Sequence, residues 1–481
     1  MLIQQNNILL EETSDEISDL AAEDNRSVNG GVMRFLVGLV FIIYTIIAFT
    51  TDLSMGFYGY KIMIMVSTGL LLFNPTSYPY LLGLLVPMYY PLKSGQHAMP
   101  GYNYMVQFSS VMIILMAIFQ WIWEHLGEYR RNLYKRFDLA SFCLLGIGIF
   151  TLFGGIVSEN KFLYVHRMVD ILAFGCVFYL GRSCLNVPQS LRLLLIGLTL
   201  GIVAFIFPVS VGFVLRRGLY VLGHLHEIRE EMGLGFSMVG AESGTLLVAL
   251  ALAYSLSGSG MSLKLRQIAL WLVAVPSAIV ILLYLSRGAI LLLPVTVFLT
   301  LVFSGQRRNA ILVALVSMIV GIVVCIKMPD LVYGFTERMA TFFTAASLRG
   351  SIRTQAILYG LSHPLLGMGA GQFPLIYVMA DTHNEPLNML AEHGVIAFLL
   401  YILFWMYLGH MAFKLRLSAD VLMRSMGGVF LVLLLIYFAF TQVQPLYYYG
   451  GGILFNFSVG MLSTLYYRLK SENRIYELES Q

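Results

Sequence analysis

Residues 139–157, LASFCLLGIGIFTLFGGIV, run from Leu139 to Val157 without one charged side chain, just behind the basic group Arg130, Arg131, Lys135 and Arg136. A helix needs about 20 mostly apolar residues to cross the hydrocarbon of a bilayer. The stretch meets that requirement and lacks the strict alternation of a barrel strand. Lipid offers no water to unpaired backbone groups, so a helix is the spanning element that fits.

The same filter, worked outward, marks Met33–Thr50, Met105–Trp123, Val165–Gly181, Leu191–Phe213, Val239–Ser257, Gln267–Leu285, Ala289–Phe303, Ala310–Lys327, Val395–Phe413, Gly427–Gln442 and Gly452–Tyr467. Tyr60–Phe73 and Tyr78–Leu92 read as short spans or one re-entrant hairpin. The expectation is an all-α polytopic bundle of about 12–14 transmembrane helices. Composition agrees, since 58% hydrophobic against 12% charged residues and a mean hydropathy of +0.79 exceed what one water-soluble core buries.

Charge placement predicts orientation. Residues 1–32 carry Glu11, Glu12, Asp15, Glu16, Asp19, Glu23 and Asp24 against Arg26, unlike a basic signal peptide, and read as a cytoplasmic tail. With an even number of crossings, the cytoplasmic loops then hold Arg130, Arg131, Lys135, Arg136, Arg182, Arg192, Lys264, Arg266, Arg307, Arg308, Lys414, Arg416 and Arg424, as the positive-inside bias expects. Both termini are expected in the cytoplasm. The expected order is this tail, a transmembrane bundle over 33–327, a long extracytoplasmic loop over 328–393, further transmembrane helices over 394–468 and a tail over 469–481.

The net charge of +4 and the lack of an aromatic-interleaved basic patch point away from nucleic acid. Cys143, Cys176, Cys184 and Cys325 show no metal or redox spacing and read as packing residues.

The external basic residues cluster at Arg216, Arg217 and Arg229, and again at Arg338, Arg349 and Arg353. Neighbouring acids such as Glu227, Glu230, Glu231 and Glu337 offer one explanation, a solvated loop. The other is an anionic ligand, because guanidinium forks match phosphate oxygens.

Within the long loop, SLRGSIRTQAILYG at 347–360 reads as a short amphipathic helix with Arg349 and Arg353 on one face. HPLLGMGAGQF at 363–373 reads as a glycine-rich turn. HNEPLNMLAEHG at 383–394 opens a helix near Pro386 with His383 and Asn384 at its start. Upstream, Ser286-Arg287-Gly288 sits at the expected outer end of a span. Glu242 sits near another outer helix start, where it either lines a site or pairs with an arginine. Arg167 and Asp170, one turn apart, read as a structural pair.

The run His-Asn-x-x-Leu-x-x-Leu-x-Glu-x-Gly, preceded by His-Pro-x-x-Gly-x-Gly and by Ser-Arg-Gly in that order, resembles the signature of the O-antigen ligase and polymerase superfamily. The similarity is strongest over Leu283–Tyr401. Arg353 stands where an aromatic residue is common in the family, and Ala397 where glycine is common.

The resemblance implies a GT-C-like membrane glycosyltransferase of the bacterial cytoplasmic (inner) membrane. It would transfer a glycan from a polyprenyl-diphosphate carrier to a sugar hydroxyl, or to a lipid or protein acceptor, on the extracytoplasmic face. Arg287 and Arg349 would stabilise the leaving diphosphate, with Arg353, Arg216 and Arg217 as further anion contacts. His383 would accept the acceptor's proton, with Asn384 and Glu242 in substrate binding. No metal or other cofactor is expected, and a chain-length regulator or flippase is an expected partner.

Two other readings compete. A flippase or transporter fits the crossing number but calls for repeated halves, which the sequence lacks. A metal-dependent transferase calls for an acidic first external loop, where only Asp52 stands. The loop assignment carries a direct expectation: in a cysteine-free background, Ser347→Cys is labelled by a membrane-impermeant maleimide in intact cells. Labelling only after lysis would place residues 328–393 in the cytosol.

Overall fold

The computed structural model describes residues 74–86, 104–126, 138–184, 186–201, 287–303, 307–327, 350–376, 384–442 and 450–479, with Val66 and Gly69. The expected spans Met33–Thr50, Val239–Ser257 and Gln267–Leu285 lie outside them.

The described elements are α1 (Tyr78–Leu85), α2 (Tyr104–Leu126), α3 (Leu139–Val157), α4 (Lys161–Arg182), α5 (Val187–Gly201), α6 (Arg287–Phe303) and α7 (Arg307–Lys327). After these come α8 over residues 350–362, then α9 (Phe373–Ile376), α10 (Glu385–Arg416), α11 (Val421–Thr441) and α12 (Gly450–Glu479). No strand occurs among the described residues. The protein is an all-α polytopic membrane protein, and α3, α4, α10 and α11 are long and apolar enough to cross a bilayer.

Lipid, not water, must face the outer helix surfaces. Leu145, Leu152, Phe153 and Ile156 on α3 are exposed, as are Ile311, Leu312, Leu315, Ile319 and Ile326 on α7. Contiguous apolar surface of this extent is excluded from a water-facing helix.

Helix starts are set by short polar side chains. Oδ1 of Asp138 accepts from Ser141 N at 2.8 Å, Asn160 from Leu163 N at 3.0 Å, Asn384 from Leu387 N at 2.9 Å and Asp420 from Met423 N at 2.8 Å. Each satisfies a backbone donor left free by the first helical turn.

Close packing between helices depends on glycine. A Cβ at Gly181 in α4 would lie 2.2 Å from the Phe457 carbonyl oxygen, and one at Gly460 in α12 would lie 2.3 Å from that of Phe178. The two backbones therefore touch, as small residues allow in membranes. Buried Asp138 fastens the same end: Ser463 Oγ donates to Oδ2 at 2.7 Å and Arg182 Nη1 to Oδ1 at 3.2 Å.

The helix α10 contains a reversal. Gly394 has φ 83° and ψ 178°, outside helical space, and divides the element into arms over 385–393 and 395–416. Tyr401 Oη donates to Glu385 Oε1 at 2.8 Å. Sixteen residues of unbroken helix would separate the pair by about 24 Å, so the first arm folds back along the second. The expected span from Val395 thus coincides with the second arm.

At Gly394 an added Cβ would lie 2.7 Å from the Pro364 oxygen. Gly394→Ala is expected to destabilise the protein by about 1–3 kcal/mol, the range for strained backbone held by its surroundings. Gly409→Ala, with nothing within 4 Å of the new carbon, should leave the thermal midpoint unchanged or raise it. Equal midpoints for the two variants would show that the break is not constrained.

Candidate functional site

The glycine-rich turn supplies what the α10 break leaves unpaired. Met368 N–H donates to Ala391 O at 3.0 Å, Gly369 N–H to Glu392 O at 2.9 Å, and Val395 N–H to Pro364 O at 2.8 Å. Non-helical backbone in a membrane protein persists where protein groups replace the missing bonds.

On its other side the turn grips the α3–α4 connection. Gln372 Oε1 accepts from Asn160 N at 2.9 Å while its Nε2 donates to Asn160 O at 3.1 Å, so one side chain acts as a backbone partner. Gly369, with φ 91°, lies so close to Gly154 and Ser158 that an added Cβ would overlap Ser158 Oγ. The turn therefore locks α3, α4 and α10 together. His363, which precedes it, is exposed and meets Ser362 Oγ at 2.9 Å, in keeping with a turn residue.

Two of the expected site residues meet at one place. Arg353 Nη2 donates to the Gln442 carbonyl oxygen at 2.8 Å, at the C-terminal cap of α11. Asn384, buried, donates from Nδ2 to that carbonyl at 3.4 Å and to Gln442 Oε1 at 3.2 Å, while its own oxygen caps α10. Arg353, Asn384 and Gln442 thus form one polar cluster built from three separate elements.

Nothing among the described residues neutralises the Arg353 charge. Among the described residues no carboxylate lies within ion-pair distance of it, and its buried Nε makes no hydrogen bond. The α11 carbonyl end, which carries the negative pole of the helix, orients the guanidinium without cancelling it.

Helix α6 begins at Arg287, whose side chain lies outside the described residues. His383, Arg349, Arg216, Arg217 and Glu242 also lie outside them. Asn384 caps α10 one position after His383, and the described part of α8 starts at residue 350, one position after Arg349. Arg167 and Asp170 are buried in α4, with Ser110 Oγ donating to Asp170 Oδ1 at 2.8 Å. Among the described residues no three His, Cys, Asp or Glu side chains gather as a metal site.

Residues 268–402 match the family model described as O-antigen ligase. Over this segment the chain is similar to the O-antigen ligase and polymerase superfamily. That likeness supports ligase- or polymerase-type function in general. A comparison with curated proteins finds no match. The matched O-antigen ligase segment includes Arg287, Arg349, Arg353, His383 and Asn384, and ends before Gln442.

Sequence reasoning missed Gln442, whose one signal was a polar residue at the end of an apolar span. It also missed Glu385, buried against Tyr401, because the reversal that joins them cannot be seen in linear order. Asn384→Ala should cost about 1 kcal/mol, the usual value for a lost N-cap. Asn384→Ser, with a capping oxygen but no amide for Gln442, should recover most of that loss. Identical thermal midpoints for the two variants would show that the cap is not what Asn384 contributes.

Proposed function

We propose that the protein transfers a glycan from a polyprenyl-diphosphate carrier to a sugar hydroxyl on the extracytoplasmic face of a bacterial cytoplasmic membrane. The reading favours a polymerase that joins lipid-linked repeat units. Transfer to a lipid or protein acceptor, the ligase reaction, is the second form of the same chemistry. The observation that carries the proposal is the Arg353 guanidinium beside Asn384 at the C-terminal end of α11, with no carboxylate in ion-pair reach among the described residues.

The chemistry assigns each group a part. When the sugar leaves its carrier, negative charge develops on the diphosphate. Arg353, with Arg287 and Arg349 from the same matched segment, stabilises that charge most strongly where water is scarce. Arg216 and Arg217 add anion contacts from a second loop, and Glu242 binds acceptor hydroxyls. His383, directly before the Asn384 cap, accepts the proton of the attacking hydroxyl. The bond from the hydroxyl oxygen to the anomeric carbon forms as the bond to the diphosphate oxygen breaks. No metal is needed, because the cations are side chains.

Purified protein given lipid-linked glycan in detergent should form longer or transferred product, which a flippase cannot do. His383→Ala and Arg287→Ala should insert normally and lower turnover by about 10²–10³-fold, the scale of one lost transition-state donor. Arg353→Lys should lower it less. Wild-type product from His383→Ala and Arg287→Ala would reject these roles, and activity lost on chelation would reject metal independence.

A further inference from the structure

A cavity of about 590 Å³ lies between α3 and α4 on one side and α10, α11 and α12 on the other. Its lining is mainly aliphatic and aromatic. Ile149 and Leu172 line it and are 41% and 38% exposed, so it opens sideways onto the surface that faces lipid.

Two glycines in helix interiors, Gly148 in α3 and Gly175 in α4, also line it. Glycine inside a helix is destabilising relative to alanine. At Gly181 and Gly460 that cost is offset by backbones in contact. At Gly148 and Gly175 an added Cβ would meet nothing within 4 Å. Protein packing does not require these two glycines, and their effect is to keep space open.

The ends of the cavity differ in charge. At one end Arg182, the last residue of α4, has a side chain 10% exposed and an Nη1 on Asp138 at 3.2 Å. Its buried Nη2 has no hydrogen-bond partner among the described residues. At the other end stands the Glu385 carboxylate. An anionic head group would be repelled at Glu385 and accepted by the free arm of Arg182. A helix end is also where a crossing segment meets the head-group layer.

We infer that this cavity holds one acyl chain of a membrane phospholipid, its phosphate on Arg182 Nη2 and its tail directed toward Met389. The cluster of Arg353, Asn384 and Gln442 lies beyond the opposite end, so the lipid is separate from the reacting glycan carrier. Its role is to fill the joint between the α3–α4 pair and the folded-back α10, a contact that protein side chains leave incomplete.

The test uses full-length protein, delipidated in dodecyl maltoside and titrated with phosphatidylglycerol, with bound lipid counted by native mass spectrometry. Wild type should bind one molecule in preference to diacylglycerol of the same chains. Gly148→Leu combined with Gly175→Leu should weaken binding about tenfold, or about 1.4 kcal/mol, with unchanged helical circular dichroism. If that pair does not fold, Gly175→Leu alone serves for the same comparison. Arg182→Lys, which keeps a cation for Asp138 but loses the second arm, should narrow the preference over diacylglycerol. Undiminished binding by the filled variants overturns the inference. A wild type that prefers polyprenyl phosphate or diacylglycerol also overturns it.

Discussion

The arrangement rests on a backbone exchange between the glycine-rich turn and the break at Gly394. Reversing a chain near the edge of a bilayer frees carbonyls and amides that lipid cannot satisfy. Here the carbonyls of Ala391 and Glu392 are taken by Met368 and Gly369, and the amide of Val395 by Pro364. Without these bonds the first arm of α10 would have no reason to lie along the second. Glu385 would then leave Tyr401, and Asn384 would leave Gln442. The geometry of the candidate site thus follows from three hydrogen bonds that belong to no regular element.

A second constraint acts at the opposite end of α4. Asp138 caps α3 while holding Ser463 of α12 and Arg182 of α4. One buried carboxylate with several donors is tolerable in low dielectric, whereas an unpaired one is not. The glycine contact between α4 and α12 brings these groups within reach. The bundle is therefore fixed by polar groups at both ends, with apolar packing between them. The cavity beside Gly148 and Gly175 is a gap in that apolar packing between the two ends.

The helices were legible because hydropathy over some 20 residues is a local property. Leu139–Val157 coincides with the expected span, and Val395 marks both an expected and an observed helix start. The motif segments were legible too, since HNEPLNMLAEHG and HPLLGMGAGQF are contiguous strings that fall within the matched family segment. What stayed hidden depends on approach in space. In sequence HPLLGMGAGQF reads only as a glycine-rich turn, yet its glycines with positive φ, Gly367, Gly369 and Gly371, lie against α10, α3 and α4 respectively. Gln372 gave no sign that it stands in for a backbone partner of Asn160. Gln442 was simply the last residue of a span, because its partners Asn384 and Arg353 are distant in sequence.

The way Arg353 is held bears on what it can do. An arginine that meets an aspartate shares its charge with that partner, as Arg182 does through Nη1 with Asp138. Carbonyl oxygens orient the guanidinium through dipoles and leave its net charge intact. Such an arrangement is unfavourable in isolation, because a partly buried cation without a counter-ion pays for desolvation. It becomes favourable when an anion arrives, since attraction then acts across a medium already poor in water. The same reasoning accounts for the arginine at a position where the related family often has an aromatic side chain. An aromatic ring there could pack against α11, but it could not bring a charge to the C-terminal end of that helix.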